Sequence, residues 1–279
     1  MRVVILCPSV YSETACAMAV RLAQAGYIPA GALTLPTADR GTLLRKLGQW
    51  GVREVVRYAR AKMISRGGKA QSRLRNPYLA PLLSRKGKAF RNLREVAAAD
   101  GFPIVTCSDQ NSRRSIAQLR AWSPDLVVFA GGSILRKPLL AVPRMGAINV
   151  HLALLPEIRG MNSPEWSLLK DIPSGVTIHY MDAGIDTGPI LRRCEFADGL
   201  HCQSLEDLRN RLIAFGIEKA AEVVAALDQG SVSATPQPEI DSEIGKDNQF
   251  FVMHEWLQAR AAEKLMQRSF AAAAGKSDG

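Results

Sequence analysis

The chain lacks the runs and residue clusters that would assign it to several common classes. No apolar stretch approaches the roughly 18 residues a bilayer span needs, and the opening apolar run, Val3 to Cys7, is too short for a secretory signal core. A cytoplasmic protein is the expectation. Five cysteines, at positions 7, 16, 107, 194 and 202, form no C-x-x-C pair, which argues against a disulfide or zinc framework and for buried, reduced thiols. Histidine is scarce, and His151, His179, His201 and His254 show no metal-ligand spacing such as H-E-x-x-H, so no metal is expected. There is no G-x-G-x-x-G dinucleotide loop, no G-x-S-x-G nucleophile elbow and no internal repeat.

What is present is an ordinary globular composition, 279 residues with 47% hydrophobic content, enough for one substantial core or a core with an appendage. The net charge of +10 is unevenly placed. Residues 41–100 hold 15 Lys+Arg against 3 Asp+Glu, a net +12, while the remainder is net −2. Such a basic segment suits nucleic acid, or a lid over an anionic small molecule.

In chain order, residues 3–7 read as a buried strand, and 12–26 as a helix with Ser12 as N-cap and Gly26 as its stop. A second strand is expected over 28–33. Residues 42–64 carry apolar positions at mostly helical spacing with Arg and Lys between them, a basic amphipathic helix or pair. Residues 65–88, rich in Gly, Ser, Pro and positive charge, read as an exposed loop, so 40–90 is treated as an insertion. Alternation then resumes: helix 88–100, strand 103–107, helix 112–122 and a strongly buried strand 125–130. These β-α repeats predict an α/β fold, Rossmann-like, with a mainly parallel twisted sheet and helices on both faces. Residues 204–227 form an amphipathic helix capped by Ser204, 229–248 look irregular, and 251–270 show a last helical pattern before a frayed tail. The organisation expected is a catalytic unit over 1–200 containing the basic insertion, and a helical C-terminal extension over 201–279.

The chemistry concentrates in residues 146–192. In Ala147-Ile148-Asn149-Val150-His151-Leu152 the two polar residues stand at i and i+2, so a strand points both to one face. A second strand over 175–181 breaks into Asp182-Ala183-Gly184-Ile185-Asp186-Thr187-Gly188, a Gly-rich loop carrying carboxylates. Asn, His and Asp together suit acyl transfer without a covalent enzyme intermediate. An amide N–H and an imidazolium can donate to a developing oxyanion, and a carboxylate can set the imidazole's charge or help remove a proton. On pattern alone, however, a His among Val150, Leu152 and Leu155 is more often a hydrogen-bonded core residue, and Asp182 and Asp186 could equally be turn residues.

The ordered combination N-x-H, L-L-P, R-G and G-V-T-I-H-x-M-D-x-G-I-D-T-G-P-I-L resembles the folate-dependent formyltransferase family, which includes glycinamide ribonucleotide, methionyl-tRNA and sugar-nucleotide amine formyltransferases. The resemblance is strong over 125–192 and weaker over the β-α opening and the helix after Ser204. It implies 10-formyltetrahydrofolate as co-substrate and Asn149, His151 and Asp186 as the catalytic set. The matching pterin pocket is Ser133, Ile134 and Leu135 with Asp182, Ala183, Gly184 and Ile185. Leu152, Ala153 and Ile158 depart from the family pattern at positions expected on the substrate side of the cleft, where residues 162–166 also belong.

Among acceptors, the methionyl-tRNA enzymes carry a C-terminal barrel domain, whereas residues 194–279 here are mostly helical in pattern, which disfavours tRNA. The formyltetrahydrofolate hydrolases carry an N-terminal regulatory domain, and here the first strand starts at Val3. The expected partner is therefore a small anionic amine, foremost a nucleotide-linked amino sugar whose diphosphate suits the basic insertion. Contact of 42–64 with a membrane surface, and self-association as a dimer, stay open. The competing readings are a formyltetrahydrofolate hydrolase and a non-catalytic basic binder on the same fold.

Overall fold

Strand β1 (Val3–Cys7) is apolar at every position and wholly buried, so both of its faces must be covered. The computed structural model describes residues 1–36, 75–197, 201–238 and 248–274, with side chains to 269. After β1 come α1 (Glu13–Gln24), β2 (Gly31–Thr34), the hairpin strands β3 (Ser84–Arg85) and β4 (Lys88–Ala89), α2 (Leu93–Asp100), β5 (Ile104–Thr106), α3 (Arg113–Trp122) and β6 (Leu126–Phe129). The second half holds α4 (Lys137–Leu140), β7 (Gly146–His151), β8 (Arg159–Gly160), α5 (Ser163–Leu169), β9 (Gly175–Tyr180), β10 (Ile190–Glu195), α6 (Leu205–Asp228), β11 (Gln249–Phe250) and α7 (Glu255–Ala274).

Among the described residues, seven strands form one sheet in the order β10-β9-β7-β6-β1-β2-β5. The pairs from β7 through β6, β1 and β2 to β5 are parallel, whereas β9 and β10 run antiparallel at one edge. Alternate residues of β1 divide between two core clusters: Val3, Ile5 and Cys7 pack with α1, α2, α6 and α7, while Val4 and Leu6 pack with Leu119 and Trp122 of α3 and Leu139 of α4. The Rossmann-like α/β expectation is thus met, with helices on both faces. The predicted caps are present: the Ala15 amide donates to Ser12 Oγ, and the Asp207 amide to Ser204 Oγ. Four of the five thiols are buried and Cys194 is half-buried; burial pushes Cys7 and Cys16 up to about 12, which leaves them protonated. Among the described residues, no helix is long and apolar enough to cross a membrane.

Several expectations change. The amphipathic pattern at 42–64 lies outside the described residues, so the membrane contact expected there does too. The exposed loop expected to run to 88 does not: from Asn76 the chain is anchored. Leu79, Leu82, Leu83 and Phe90 are buried in the main core, and Asn76 Nδ2 donates to the Asn210 carbonyl at 2.9 Å. Loop-like composition hid four apolar anchors spaced among Arg, Lys, Pro and Gly. The helix expected from 88 begins at Leu93, because the hairpin β3/β4 occupies the residues before it. Strand β10 carries Arg192, Arg193 and Glu195 because it is an edge strand, and its polarity concealed it.

Candidate functional site

The parallel strands β6 and β7 place Phe129 beside Asn149, and the antiparallel pair β7/β9 sets Asn149 opposite His179 and His151 opposite Thr177. Directly opposed residues share a face. Two i, i+2 polar pairs, Asn149/His151 and Thr177/His179, are therefore brought into register on one side of the sheet, while Ile148, Val176 and Ile178 pack beneath α6 on the other. The helix comes close at Gly216, where a Cβ would lie 2.5 Å from Val150 Cγ1. Neither Thr177 nor His179 was singled out from the sequence. Their signal was the same alternation that marked Asn149 and His151.

Asp186 reaches this face from the loop after β9. Its Oδ2 lies 3.4 Å from His151 Nδ1 and accepts the Gly160 amide at 2.9 Å, and its Oδ1 lies 3.5 Å from His179 Nε2. The far nitrogen of each imidazole is also engaged, His151 Nε2 with the Ile158 carbonyl and His179 Nδ1 with the Tyr180 carbonyl, both at 2.8 Å. Each ring thus turns one nitrogen to a backbone carbonyl and the other towards the same carboxylate. Asn149 Nδ2 lies 3.3 Å from His179 Nε2, which orients the amide and leaves it a second N–H.

The electrostatics follow from burial and neighbours. Burial pushes the Asp186 carboxyl up, but the polar contact with His179, the charge His151 can carry and the Gly160 amide together outweigh it and hold it down at about 2. For His151, burial lowers the pKa and is only partly opposed by the attraction of Asp186. The carboxylate is thus the permanent charge of the site. Thr177 Oγ donates to the Ala153 carbonyl at 2.8 Å and accepts the Leu155 amide at 3.0 Å, which fixes the turn that follows His151.

The loop after β6 turns at Gly131 and Gly132, with φ of 101° and 144°. A Cβ on Gly132 would meet the Gln110 side chain at 2.2 Å, so only glycine permits this approach. Buried Gln110 accepts from the Ser133 amide and hydroxyl at 3.0 and 3.1 Å, and Asn111 donates to the Ile134 carbonyl while accepting the Arg136 amide. The pair Gln110-Asn111, overlooked in the sequence, shapes this loop. Ile134 is 77% exposed, whereas the Leu135 side chain is buried in the core and can offer only backbone groups. In the second loop, Asp182 Oδ1 accepts the Gly184 amide and the Thr187 hydroxyl, and Ile185 is 41% exposed.

Two expectations for the cleft are corrected. Ala153 and Ile158 are fully buried in a small cluster with Phe250, and do not face a substrate. Their side chains serve the docking of β11 on β8, where Trp166 stacks on Phe250 at 4.6 Å between centroids. Within 162–166, Ser163, Pro164 and Glu165 are buried at the start of α5, so their side chains begin a helix and do not line a cleft. A cavity of about 280 Å³ lined by Arg120, Asp125 and Arg144 lies at the amino end of β6, away from these residues.

The polar groups gather by the carboxyl ends of the parallel strands β6 and β7, the edge at which doubly wound α/β sheets commonly bind ligands. The chain belongs to the formyl transferase family, whose profile matches residues 78–224. A methionyl-tRNA formyltransferase of Pelobacter propionicus is 35% identical over 153 residues, covering 54% of this chain and 47% of that protein. The chain spans about half the length of the curated relatives it matches. Among solved structures, glycinamide ribonucleotide transformylase 1 of Symbiobacterium toebii superposes with a TM-score of 0.53 at 20% identity, over 84% of this chain and 94% of that one. An N-formyltransferase of Helicobacter canadensis, in complex with folinic acid and dTDP-3-aminofucose, superposes with a TM-score of 0.50 at 14% identity, over 90% and 71%. These two likenesses are of fold.

Proposed function

We propose that the protein transfers a formyl group from 10-formyltetrahydrofolate to a primary amine, at the face formed by Asn149, His151 and Asp186. The observation that carries this reading is that Asn149, His151 and Asp186, predicted as a catalytic set, meet on one face, His151 against the buried Asp186 carboxylate and Asn149 linked to it through His179, in a chain of the formyl transferase family. The folate supplies the formyl carbon. The loops fit such a group: exposed Ile134 and Ile185 offer apolar faces for a flat ring, and the glycine turn presents the backbone of Ser133 to Leu135. Asp182 to Ile185 form the second wall.

In the transfer, the amine nitrogen bonds to the formyl carbon as the bond from that carbon to the folate nitrogen breaks. The second N–H of Asn149 donates to the formyl oxygen as charge develops there. His151 is neutral at rest; when it is transiently protonated during the transfer, Asp186 stabilises the imidazolium, whose positive charge lies beside that oxygen. Asp186, ionised throughout the physiological range, accepts the amine's proton through water, and the same proton is passed on to the leaving folate nitrogen.

For the acceptor, the +12 charge of residues 41–100 supports an anionic amine, and a nucleotide-linked amino sugar is the leading class. A second reading, initiator tRNA, is favoured by the curated relatives, which are methionyl-tRNA formyltransferases. The test is to follow tetrahydrofolate release from 10-formyltetrahydrofolate with no amine, with a dTDP-linked amino sugar, with glycinamide ribonucleotide and with methionyl-tRNA. Release that requires one of these amines, and falls about a hundredfold or more in Asp186→Asn or Asn149→Ala, is expected. Release without amine would make the protein a hydrolase. No release with any acceptor would favour a non-catalytic basic binder.

A further inference from the structure

Gln237 lies beyond the segment matched to the family, in the sequence Thr235-Pro236-Gln237-Pro238. Its flanking prolines restrict the backbone and remove two amide donors. Thr235 is pinned to the end of β10, exchanging hydrogen bonds of 2.8 Å in both directions with Ile190. That rigid segment delivers one side chain to the rear of the Asp186 loop. There Gln237 Nε2 donates to the carbonyls of both Asp186 and Gly188, at 2.8 and 2.7 Å, and Gln237 Oε1 accepts from Arg159 Nε and Nη2 at 3.1 and 2.8 Å.

Four hydrogen bonds to one amide cross-link two stretches of chain. One is the turn carrying Asp186, whose backbone is held at φ 54°, a left-handed conformation that a non-glycine residue keeps only when its surroundings enforce it. The other is Arg159, whose neighbours on either side are the Ile158 carbonyl that engages His151 and the Gly160 amide that engages Asp186. We infer that Gln237 is a positioning residue for the proposed reaction: its amide clamps the backbones that hold the His151–Asp186 pair together. The inference rests on the functional reading above for its kinetic consequence, but not for its structural one. An amide is the side chain this position requires. A carboxylate would keep the bonds to Arg159 while setting an oxygen against two carbonyl oxygens, and a thioether would lose all four.

Three measurements test it. In the wild-type protein, the Gln237 side-chain NH₂ protons should exchange with solvent slowly in NMR spectra; rapid exchange would overturn the clamp without any variant. In Gln237→Met and Gln237→Glu, the imidazole ¹⁵N resonances of His151 should move from their wild-type positions, and unchanged resonances in a folded variant would overturn the positioning role whatever the reaction is. Third, with the acceptor that supports release, both variants should lower kcat by about ten- to a hundredfold while KM for folate and for acceptor stays within about threefold, as for a displaced catalytic group. A rise in KM alone would reject positioning in favour of a binding role. If the wild-type protein releases no tetrahydrofolate with any amine, the functional reading fails while the exchange and resonance measurements still decide the clamp.

Discussion

Asp186 is the residue on which the site's charges converge, and its behaviour in acid follows from the groups around it. Its folded pKa of about 2 lies below the ordinary value of 3.8, so it contributes stability above about pH 4 that is lost as the pH falls towards 2. The shift corresponds to about 2 kcal/mol. His151 adds to the same trend, because its folded pKa is depressed and a buried neutral imidazole must be charged as the pH falls below about 6.5. Thermal melts from pH 7 to pH 2 should therefore show a smaller loss between pH 4 and 2 in Asp186→Asn than in the wild type. Equal losses in the two proteins would mean that the carboxylate is not held by its neighbours as described. At this scale the sequence marked Asn149, His151 and Asp186 but passed over Thr177, His179 and Gln237. Alternation could show that Thr177 and His179 face the same way; it could not show that they stand opposite His151 and Asn149, since strand pairing is a long-range contact.

Among the elements, the pairing of β8 with β11 has a role out of proportion to its length. Gly160 sits at φ 92°, and a Cβ there would lie 2.1 Å from the Phe250 carbonyl oxygen, so the two strands approach as they do only because the residue is glycine. The same residue donates its amide to Asp186. Gly160→Ala should accordingly destabilise the protein by at least about 2 kcal/mol through backbone strain and the clash, lowering the melting temperature by several degrees. Turnover should fall with it, since the shifted backbone carries the amide that Asp186 accepts; a variant with wild-type melting and wild-type turnover would refute the account. Neither strand is legible in the sequence, because two-residue strands carry no periodicity and β11 lies far along the chain from β8. Helices α1, α3 and α6, by contrast, were found close to their observed limits, because apolar spacing and the capping serines are local signals.

In the whole molecule, the C-terminal helices are part of the core that supports the sheet. Helix α6 buries Leu208, Leu212, Ile217, Val223 and Val224, and α7 adds Ala261 and Leu265 to the same cluster. Lys264 and Arg268 of α7 both pair with Asp171, at 2.5 Å each, just beyond α5. A chain ending at residue 247 should uncover Ala153, Ile158 and Trp166 as well as the seat of α7. We expect it to melt more than about 10 °C below the full chain, or to be recovered only as aggregate. Melting and turnover equal to those of the full chain would show that β11 and α7 are dispensable.

The sequence by itself determined the class of fold, the extents of the long helices and the face of β7 on which the chemistry is proposed, because these depend on periodicity, capping and the spacing of residues in one short stretch. Tertiary structure alone decided which groups meet. It paired β9 against β7 so that His179 reaches Asn149, turned Ala153 and Ile158 into the seat of β11, anchored Leu79 to Phe90 in the core, and brought Gln237 behind Asp186. Each of these joins residues distant along the chain, and such contacts are selected by the packing of the whole sheet and its covering helices.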